Sequence, residues 1–465
     1  MNKRFIIEIM LLLAVVAGLW SCYDDKGNYD YKNLISLQID TLGIKAEQTA
    51  YQFENFNVPV EVKYAGDEKN LSYEWKIYPQ DPKKDDDVQK YDSAVVLYTK
   101  AVFDTIIYEV PGAYYLTLTV TDNVQDLKEY FTMKLNVETL VSRGLCVMDE
   151  KNGLYDLNII KSAKLLTDIT ASEEQVYYHV YSGVNDTEVT NGKFLGRGTY
   201  SDNNVLYFFT ENGGLKLDVN TYEIMSNDFT SWFSFPMSVT AAPEAYVITS
   251  RPLEMIVTNG LVYVWDHRSM GVTTFGDRLD GDYKAAPYLP NISTSSFSSV
   301  IFDMKNKRFA PINQFGSNVG TFESTSTGEF DLNDIGSTKE LKFMENGFNS
   351  YTYAVFYDTE TSGYSLYVMD FSGATATPVK KYSMADCEGL TESSLYTFGN
   401  QGNVCFYASG SDLYQYKYAS TNKGAVVHSF SGETITGVEV FKNSGHAKDG
   451  KLLIVSTESG GEGKV

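Results

Sequence analysis

The chain has 465 residues, more than a single hydrophobic core usually holds, so its length predicts two or more domains. Tyr (35) and Phe (26) are abundant and Pro (11) is scarce. Because aromatic side chains suit a pleated, half-buried surface, this composition favours an all-β fold. With 60 acidic against 38 basic residues, the formal charge of −22 repels phosphates and anionic lipid head groups and excludes nucleic-acid binding.

The first segment of the chain is typical of an export signal. A short positive region, 2–4, with Lys3 and Arg4, precedes an apolar stretch, 9–20, that is long enough for a signal peptide and too short to span a bilayer. The Leu-Trp-Ser-Cys run at 19–22 resembles a bacterial lipobox, although Trp20 departs from the usual small or aliphatic residue. The resemblance implies that residues 1–21 are removed as a lipoprotein signal peptide and that Cys22 carries lipid. The alternative is an ordinary secretory signal in which Cys22 is incidental.

Residues 22–30 are predicted to be a tether. Within it, Asp24 and Asp25 resemble the acidic surface-export tag that follows the lipidated cysteine of Bacteroidetes lipoproteins. That resemblance implies a protein anchored at the outer face of the outer membrane. The alternative is that the acidic pair merely keeps the tether solvated.

Between 31 and 139 apolar and polar residues alternate, as they do in strands that bury one face. The alternation is clearest in 71–79, 116–121 and 130–138. Several such strands predict an immunoglobulin-like sandwich over 31–139, with the polar run 79–92 as a long exposed loop.

Two of these strands carry a family resemblance. "LSYEWKIYP" and "PGAYYLTLTVTDN" resemble the Tyr-x-Trp and Gly-x-Tyr-x-(Leu/Val)-x-Leu-x-Val-x-Asp strands of PKD domains, although the usual Gly-Asp-Gly turn is replaced by the 79–92 loop. With the lipobox in front and a long β region behind, the chain resembles the PKD-like family of Bacteroidetes lipoproteins. The resemblance implies association with outer-membrane nutrient importers of the SusC/SusD type.

From Gly144 onward strand pairs recur with Gly, Asn and Asp turns between them. Seven units start near 145, 205, 255, 299, 353, 404 and 452. Their spacing of roughly 45–60 residues suits four-stranded blades and predicts a seven-bladed β-propeller over 145–465. The seventh unit is short, so we expect either that strands near 140–149 complete the ring or that the last blade is truncated.

Few residues point to chemistry. The chain has four histidines, at 179, 267, 428 and 446, none at a metal-binding spacing from another, and no nucleotide, metalloprotease or serine-hydrolase motif. We therefore expect no enzymatic activity, no cofactor and no metal site. The cysteines lack CxxC spacing, and Cys146, Cys387 and Cys405 are predicted to be buried hydrophobes, with a Cys387–Cys405 disulfide as the alternative.

One connection between units is unusually aromatic. In "NDFTSWFSFPMSVTAAP" the residues Trp232, Phe233 and Phe235 form a candidate surface for a ligand or a partner, and an internal plug is the equal alternative. Trp265, His267 and Arg268 end a later strand and are a second candidate. There a strand-end tryptophan in the core is the alternative.

The sequence thus predicts a surface-exposed, lipid-anchored, non-catalytic accessory protein of an outer-membrane uptake system. By the family resemblance, it would capture oligosaccharide or peptide or dock on SusC/SusD-type importer proteins. A stand-alone surface glycan-binding protein is the alternative, and a propeller hydrolase is a third hypothesis.

Overall fold

The structure is a computed structural model that describes residues 35–80, 94–139, 143–198, 205–249, 253–269, 271–292, 297–313, 317–322 and 328–465. The signal peptide, the tether, Cys22, Asp24 and Asp25 lie outside these ranges, as does most of the predicted 79–92 loop. The fold is all-β, as predicted, with a single short α-helix among the described residues, α1 (Val180–Asn185). Within the same ranges, no helix has the length and apolar character that crossing a bilayer requires.

By its contacts the chain divides into two compact units. Among the described residues, the first comprises those within 35–48, 57–104 and 114–134, and the second comprises those within 49–56, 105–113 and 135–465. Two short segments from the N-terminal third, around Phe53 and Tyr108, therefore group with the repeat region.

The N-terminal strands form a five-stranded antiparallel sheet of order β2-β9-β8-β5-β6 and two pairs, β1-β4 and β3-β7. Their bounds are β1 Leu37–Asp40, β2 Glu47–Tyr51, β3 Asn55–Val58, β4 Glu61–Tyr64, β5 Leu71–Pro79, β6 Val95–Tyr98, β7 Phe103–Ile106, β8 Gly112–Asp122 and β9 Leu127–Glu138.

The first unit has a core built on the predicted alternation. Trp75 is fully buried, its ring centroid lies 5.2 Å from that of Phe103, and its indole Nε1 donates to the Lys100 carbonyl at 3.0 Å. Asp122 ends β8 fully buried and accepts a hydrogen bond from the Tyr64 hydroxyl at 2.7 Å. This hydrogen bond, with those from the backbone N–H groups that follow Asp122, outweighs burial and lowers the pKa of Asp122 to about 2.

In the second unit, the described residues form seven separate antiparallel sheets that follow one another in chain order. The first sheet contains β10 Leu145–Lys151, β11 Leu154–Lys161, β12 Gln175–Tyr177 and β13 Val189–Thr190, and the second contains β14 Gly192–Gly198, β15 Val205–Thr210, β16 Gly213–Asp218 and β17 Ile224–Ser226. The third contains β18 Pro243–Ile248, β19 Leu253–Thr258 and β20 Leu261–Asp266, and the fourth contains β21 Phe297–Asp303 and β22 Arg308–Asn313.

Three further sheets complete this series. The fifth contains β23 Lys339–Asn346, β24 Thr352–Asp358, β25 Gly363–Asp370 and β26 Thr377–Ser383. The sixth contains β27 Leu395–Phe398, β28 Cys405–Ser409, β29 Asp412–Tyr416 and β30 Gly424–Ser429, and the seventh contains β31 Thr434–Val440, β32 Leu453–Ser459 and β33 Glu462–Lys464. Each of the seven predicted unit starts falls in a different sheet, although most of them mark the second strand rather than the first.

Consecutive sheets pack face to face through one apolar cluster each. Phe208 of the second sheet packs with Leu157 of the first, and Phe302 of the fourth packs with Phe356 of the fifth. The first strands of several neighbouring sheets also contact each other: β10 with β14, β14 with β18, β23 with β27, and β27 with β31. Sheets stacked in series around their first strands are the arrangement of propeller blades.

Among the described residues, β10 pairs with β11 in the first sheet. Completion of the ring by strands near 140–149 stays a prediction. The expected disulfide alternative is wrong, because Cys387 and Cys405 are both free thiols. Both are buried, and burial raises the pKa of Cys387 to about 12.

Candidate functional site

The aromatic connection between the second and third sheets begins with a capped turn of 3₁₀ helix, Phe229–Trp232. Asp228 precedes it, and its Oδ1 accepts from the Thr230 backbone N–H at 3.1 Å and from the Thr230 hydroxyl at 2.8 Å. A carboxylate at this position satisfies backbone donors that have no partner inside the helix. The cap thereby fixes the direction in which the following aromatic side chains point.

Trp232 and Phe233 lie in the hydrophobic core, each 2% exposed. The Trp232 ring centroid is 5.4 Å from that of Tyr207 and 5.0 Å from that of Phe229. The opposite wall is free of side chains at Gly213 and Gly214. A Cβ at Gly213 would lie 3.1 Å from Phe229, and one at Gly214 would lie 3.2 Å from Trp232. The two glycines thus permit the close approach on which this plug depends.

Phe233 is further held by backbone pairing to a distant segment. The Phe275 N–H donates to the Trp232 carbonyl and the Ser234 N–H donates to the Phe275 carbonyl, both at 2.8 Å. The rings of Phe233 and Phe275 stack with centroids 5.3 Å apart. The connection is therefore held against the segment around Phe275 by an isolated β-bridge and a ring stack.

After Phe233 the chain turns outward. Ser234, Phe235, Pro236, Met237 and Ser238 are five consecutive exposed residues, which we call the apolar knuckle. Phe235 is 57% exposed and Met237 fully so. The knuckle is stabilised by the Ser234 and Thr274 hydroxyls, 2.7 Å apart, and by the Ser238 hydroxyl donating to the Phe235 carbonyl at 2.9 Å. It presents apolar side chains on a backbone that is already ordered.

Beside the plug lies a cluster of buried ionisable groups. The Glu254 side chain is 4% exposed; its Oε2 accepts from the Tyr207 hydroxyl at 2.7 Å, and its Oε1 lies 2.8 Å from His267 Nε2. The hydroxyl of Tyr246 is buried in the same cluster. Burial, followed by the charge of Glu254, raises the pKa of Tyr207 and of Tyr246 far above the usual range. A buried carboxylate is tolerated here because donors surround it.

Lys216 completes this cluster from the second sheet. Its Nζ lies 4.8 Å from the ring centroid of Trp232, 5.4 Å from that of Trp265 and 5.8 Å from that of Tyr207. Three aromatic faces therefore surround one ammonium group, an arrangement that stabilises a cation. Burial nevertheless lowers the pKa of Lys216, against the opposing effect of Glu254.

The structure brings four of the predicted site residues together: Trp232, Phe233 and Trp265 share one core cluster, and His267 packs against it through Trp265. Trp232 and Trp265 flank Lys216, and His267 stacks on Trp265 with ring centroids 4.1 Å apart. Phe235 instead points to solvent from the knuckle. Arg268 binds Asp266 through two parallel hydrogen bonds of 2.8 Å each.

Trp232 and Phe233 are thus buried, as the internal-plug alternative describes, and Trp265 is buried at a strand end, as the core alternative describes. Their assignment to a binding surface stays a prediction, and of the aromatic and large apolar side chains of the connection those of Phe235 and Met237 in the knuckle are the exposed ones. Lys216, Glu254 and Tyr207 were missed from the sequence. A lone carboxylate inside the apolar run "LEMIVT" was the available signal, because a charge in a buried strand needs partners.

The described residues contain no group of three or more His, Cys, Asp or Glu side chains placed to hold a metal ion. His179 lies beside Asp156, with Nδ1 3.3 Å from Oδ2, and its side chain is 65% exposed.

Comparison with known proteins gives one family match. Residues 22–191 match the PKD-like family, a span that begins at the predicted lipidated cysteine and runs through the first sheet of the second unit. No curated protein shows significant sequence similarity to the chain.

Several solved structures resemble parts of the fold. Dihydro-heme d1 dehydrogenase NirN is 10% identical with a TM-score of 0.37, covering 73% of this chain and 66% of that one. The extracellular domain of a putative hybrid two-component system from B. thetaiotaomicron is 10% identical with a TM-score of 0.30, covering 57% of this chain and 30% of that one. The WD40 domain of SCAP from fission yeast is 11% identical with a TM-score of 0.29, covering 68% and 83%.

This chain therefore spans less than two thirds of the length of the first two structures, and every TM-score is below 0.5, so these likenesses do not extend to function. The family match is the informative comparison, and it identifies residues 22–191 as PKD-like.

Proposed function

We propose that the protein is a surface-exposed, lipid-anchored, non-catalytic accessory component of an outer-membrane nutrient-uptake system, docked on a SusC/SusD-type importer. The observation that carries the proposal is the apolar knuckle. Exposed Phe and Met side chains on an ordered backbone cost free energy in water and are typical of protein interaction sites. Because the knuckle is already ordered by its hydrogen bonds, binding through it would lose little conformational entropy.

The chemistry of the partner follows from charge. With a formal charge of −22 the chain is repelled by anionic lipid, so an apolar projection of this kind suits a protein partner with a complementary apolar pocket better than a membrane surface. An importer held in the same membrane would also be presented at a high effective concentration to a lipid-anchored neighbour.

The anchoring part of the proposal rests on the N-terminal sequence. The lipobox-like run ending at Cys22 and the acidic pair at 24–25 indicate a Bacteroidetes lipoprotein displayed on the cell surface. Lipid attachment supplies membrane binding that an acidic folded region cannot supply by itself.

We further propose that the seven sheets form one seven-bladed propeller. Residues of the first and last sheets, among them Ile160, Val176 and Ile454, line the same cavity of about 500 Å³. Two sheets at opposite ends of a series share a cavity only when the series curves back on itself. The cavity would then mark the seam of the ring.

The absence of catalysis is part of the proposal. The most enzyme-like constellation, Glu254 with His267 and Tyr207, has a carboxylate 4% exposed and a histidine side chain 7% exposed. General acid–base groups must reach their substrate within hydrogen-bonding distance. We assign this cluster to stabilising the packing between the second and third sheets. An activity screen on oligosaccharides and peptides that found turnover would contradict this assignment.

The experiment that tests the proposal combines fractionation with capture. Cys22→Ala should release the protein from the membrane fraction or leave it as unprocessed precursor, and changing Asp24 and Asp25 to Ala should retain it in the periplasm. Protease treatment of intact cells should degrade the wild-type protein. Capture of the tagged protein from outer membranes in mild detergent should recover a TonB-dependent receptor. Full protection from protease, or capture of no receptor, would overturn the proposal.

A further inference from the structure

An open cleft lies where the aromatic connection meets the first two sheets. Its volume is about 430 Å³, which is in the range of small-molecule binding sites. Buried side chains line it from beneath, namely Tyr181, Val189 and Phe229. More exposed polar side chains surround its mouth: Glu188, Thr190, Thr210, Asn212, Asn227 and Asp228.

The hydrogen-bonding groups at the mouth are largely unused by the protein. In the described part of the chain, no hydrogen bond involves the side chains of Glu188, Asn212 or Asn227, and none reaches Asp228 Oδ2. Asp228 Oδ1, in contrast, is engaged in capping the 3₁₀ helix. Several donors and acceptors therefore converge on one cleft without a partner from the fold.

The walls of the cleft are fixed by packing. Gly213 has a φ of +146°, a conformation that L side chains rarely adopt, and lies against Phe229. The Asp228 cap holds the other wall. A cleft that is formed before its ligand arrives binds with a smaller entropic cost.

We propose that this cleft binds a short neutral carbohydrate. No Lys, Arg or His lines it and two carboxylates do, so anionic ligands are repelled. Amides and hydroxyls, which both donate and accept hydrogen bonds, outnumber the carboxylates and match the hydroxyl groups of a sugar. A cationic side chain would use only the acceptors, whereas the hydroxyl groups of a sugar use both the donors and the acceptors.

The inference deepens the proposed function, because it names the class of cargo that such an accessory component would hold, and it rests on that function for its biological meaning. The connection that ends in the knuckle also lines the cleft at 227–230, so cargo and docking sites lie on one continuous segment.

The test is calorimetric titration of the purified full chain with a panel of neutral gluco-, xylo-, manno- and galacto-oligosaccharides. A uronate-bearing oligosaccharide and a lysine-rich peptide are titrated alongside. Asn212→Ala combined with Asn227→Ala should raise Kd for the bound neutral sugar by at least about tenfold, since each amide contributes a hydrogen bond. Asn220→Ala, an exposed Asn outside the cleft, is the matched control and should leave Kd unchanged. Melting temperatures of both variants should equal that of wild type.

No binding of any neutral sugar would overturn the inference, as would a Kd that the double variant leaves unchanged. A preference for the lysine-rich peptide would replace carbohydrate with a cationic ligand and equally overturn it. Capture of the importer is measured separately, so a chain that captures the receptor but binds no sugar refutes this inference and leaves the proposed function standing.

Discussion

The buried part of the aromatic connection, Trp232 and Phe233, is the plug, and truncating each of its two rings in turn tests it most stringently. Trp232 and Phe233 are each 2% exposed, and Trp232 contacts the rings of Tyr207 and Phe229 as well as the ammonium of Lys216. Truncation of a buried Phe or Trp to Ala costs about 3–5 kcal/mol, because apolar transfer free energy is lost and a cavity remains. Loss of the cation–π contact adds about 0.5–1 kcal/mol for Trp232.

We therefore expect Trp232→Ala and Phe233→Ala each to lower the free energy of unfolding of the second unit by about 3 kcal/mol or more. Equilibrium urea unfolding followed by circular dichroism measures this change. Phe235→Ala is the matched control, an aromatic truncation in the same segment at an exposed position, and should cost less than about 0.5 kcal/mol. If Trp232→Ala cost below about 1 kcal/mol, or if all three variants were equally destabilised, the division into plug and knuckle would be wrong.

Other consequences are open to direct measurement. Glu254→Ala removes the acceptor of the Tyr207 hydroxyl and should destabilise the second unit by about 3–5 kcal/mol in urea unfolding, whereas a near-neutral result would refute a stabilising role. The pKa of Asp122 is depressed to about 2, so the stability that Asp122 contributes should be fully present above the unfolded pKa of the carboxyl and be lost as pH falls from there through the folded value of about 2. Acid unfolding should show this fall, and Asp122→Asn should flatten it; an unchanged profile would contradict the assignment. Because burial raises the pKa of Cys387 to about 12, iodoacetamide at pH 8 should label that thiol only after unfolding, and fast labelling of the native protein would be the contrary result.

Strand positions were predictable from sequence wherever the pattern is local. β5 coincides with the predicted 71–79, because alternation of apolar residues around Trp75 reflects a strand with one face in the core. In the repeat region, Gly and Asn turns marked each hairpin, such as the Asn259-Gly260 turn between β19 and β20, where both residues have positive φ. Turn chemistry therefore revealed the number of sheets.

What the sequence left open depends on residues far apart in the chain. Trp232 can pack inside because Gly214, on another strand, leaves room for its ring, while Gly213 leaves room for the neighbouring Phe229. Glu254 stands out as a charge in an apolar strand, but its hydrogen-bond donors come from separate elements, at Tyr207 and His267. Local periodicity carries no information about such partners, so neither arrangement could be derived from spacing.

The same limit applies to the first strands of the sheets. Most predicted units start at the second strand of a sheet. That strand is buried on both faces, so its sequence is a continuous apolar run, as in β19. The first strands are more mixed in burial, as in β23, and resemble loops when seen alone.

The central claim, that the protein docks on an importer through the knuckle, is tested most directly by quantitative capture from outer membranes. Phe235→Ser combined with Met237→Ser is compared with the wild-type chain and with a control carrying Tyr178→Ser and Met225→Ser, which alters an exposed aromatic and an exposed Met elsewhere. We expect the knuckle variant to reach the cell surface with an unchanged melting temperature and to lose the TonB-dependent receptor, while wild type and control retain it. Equal recovery of the receptor by all three proteins would contradict the account.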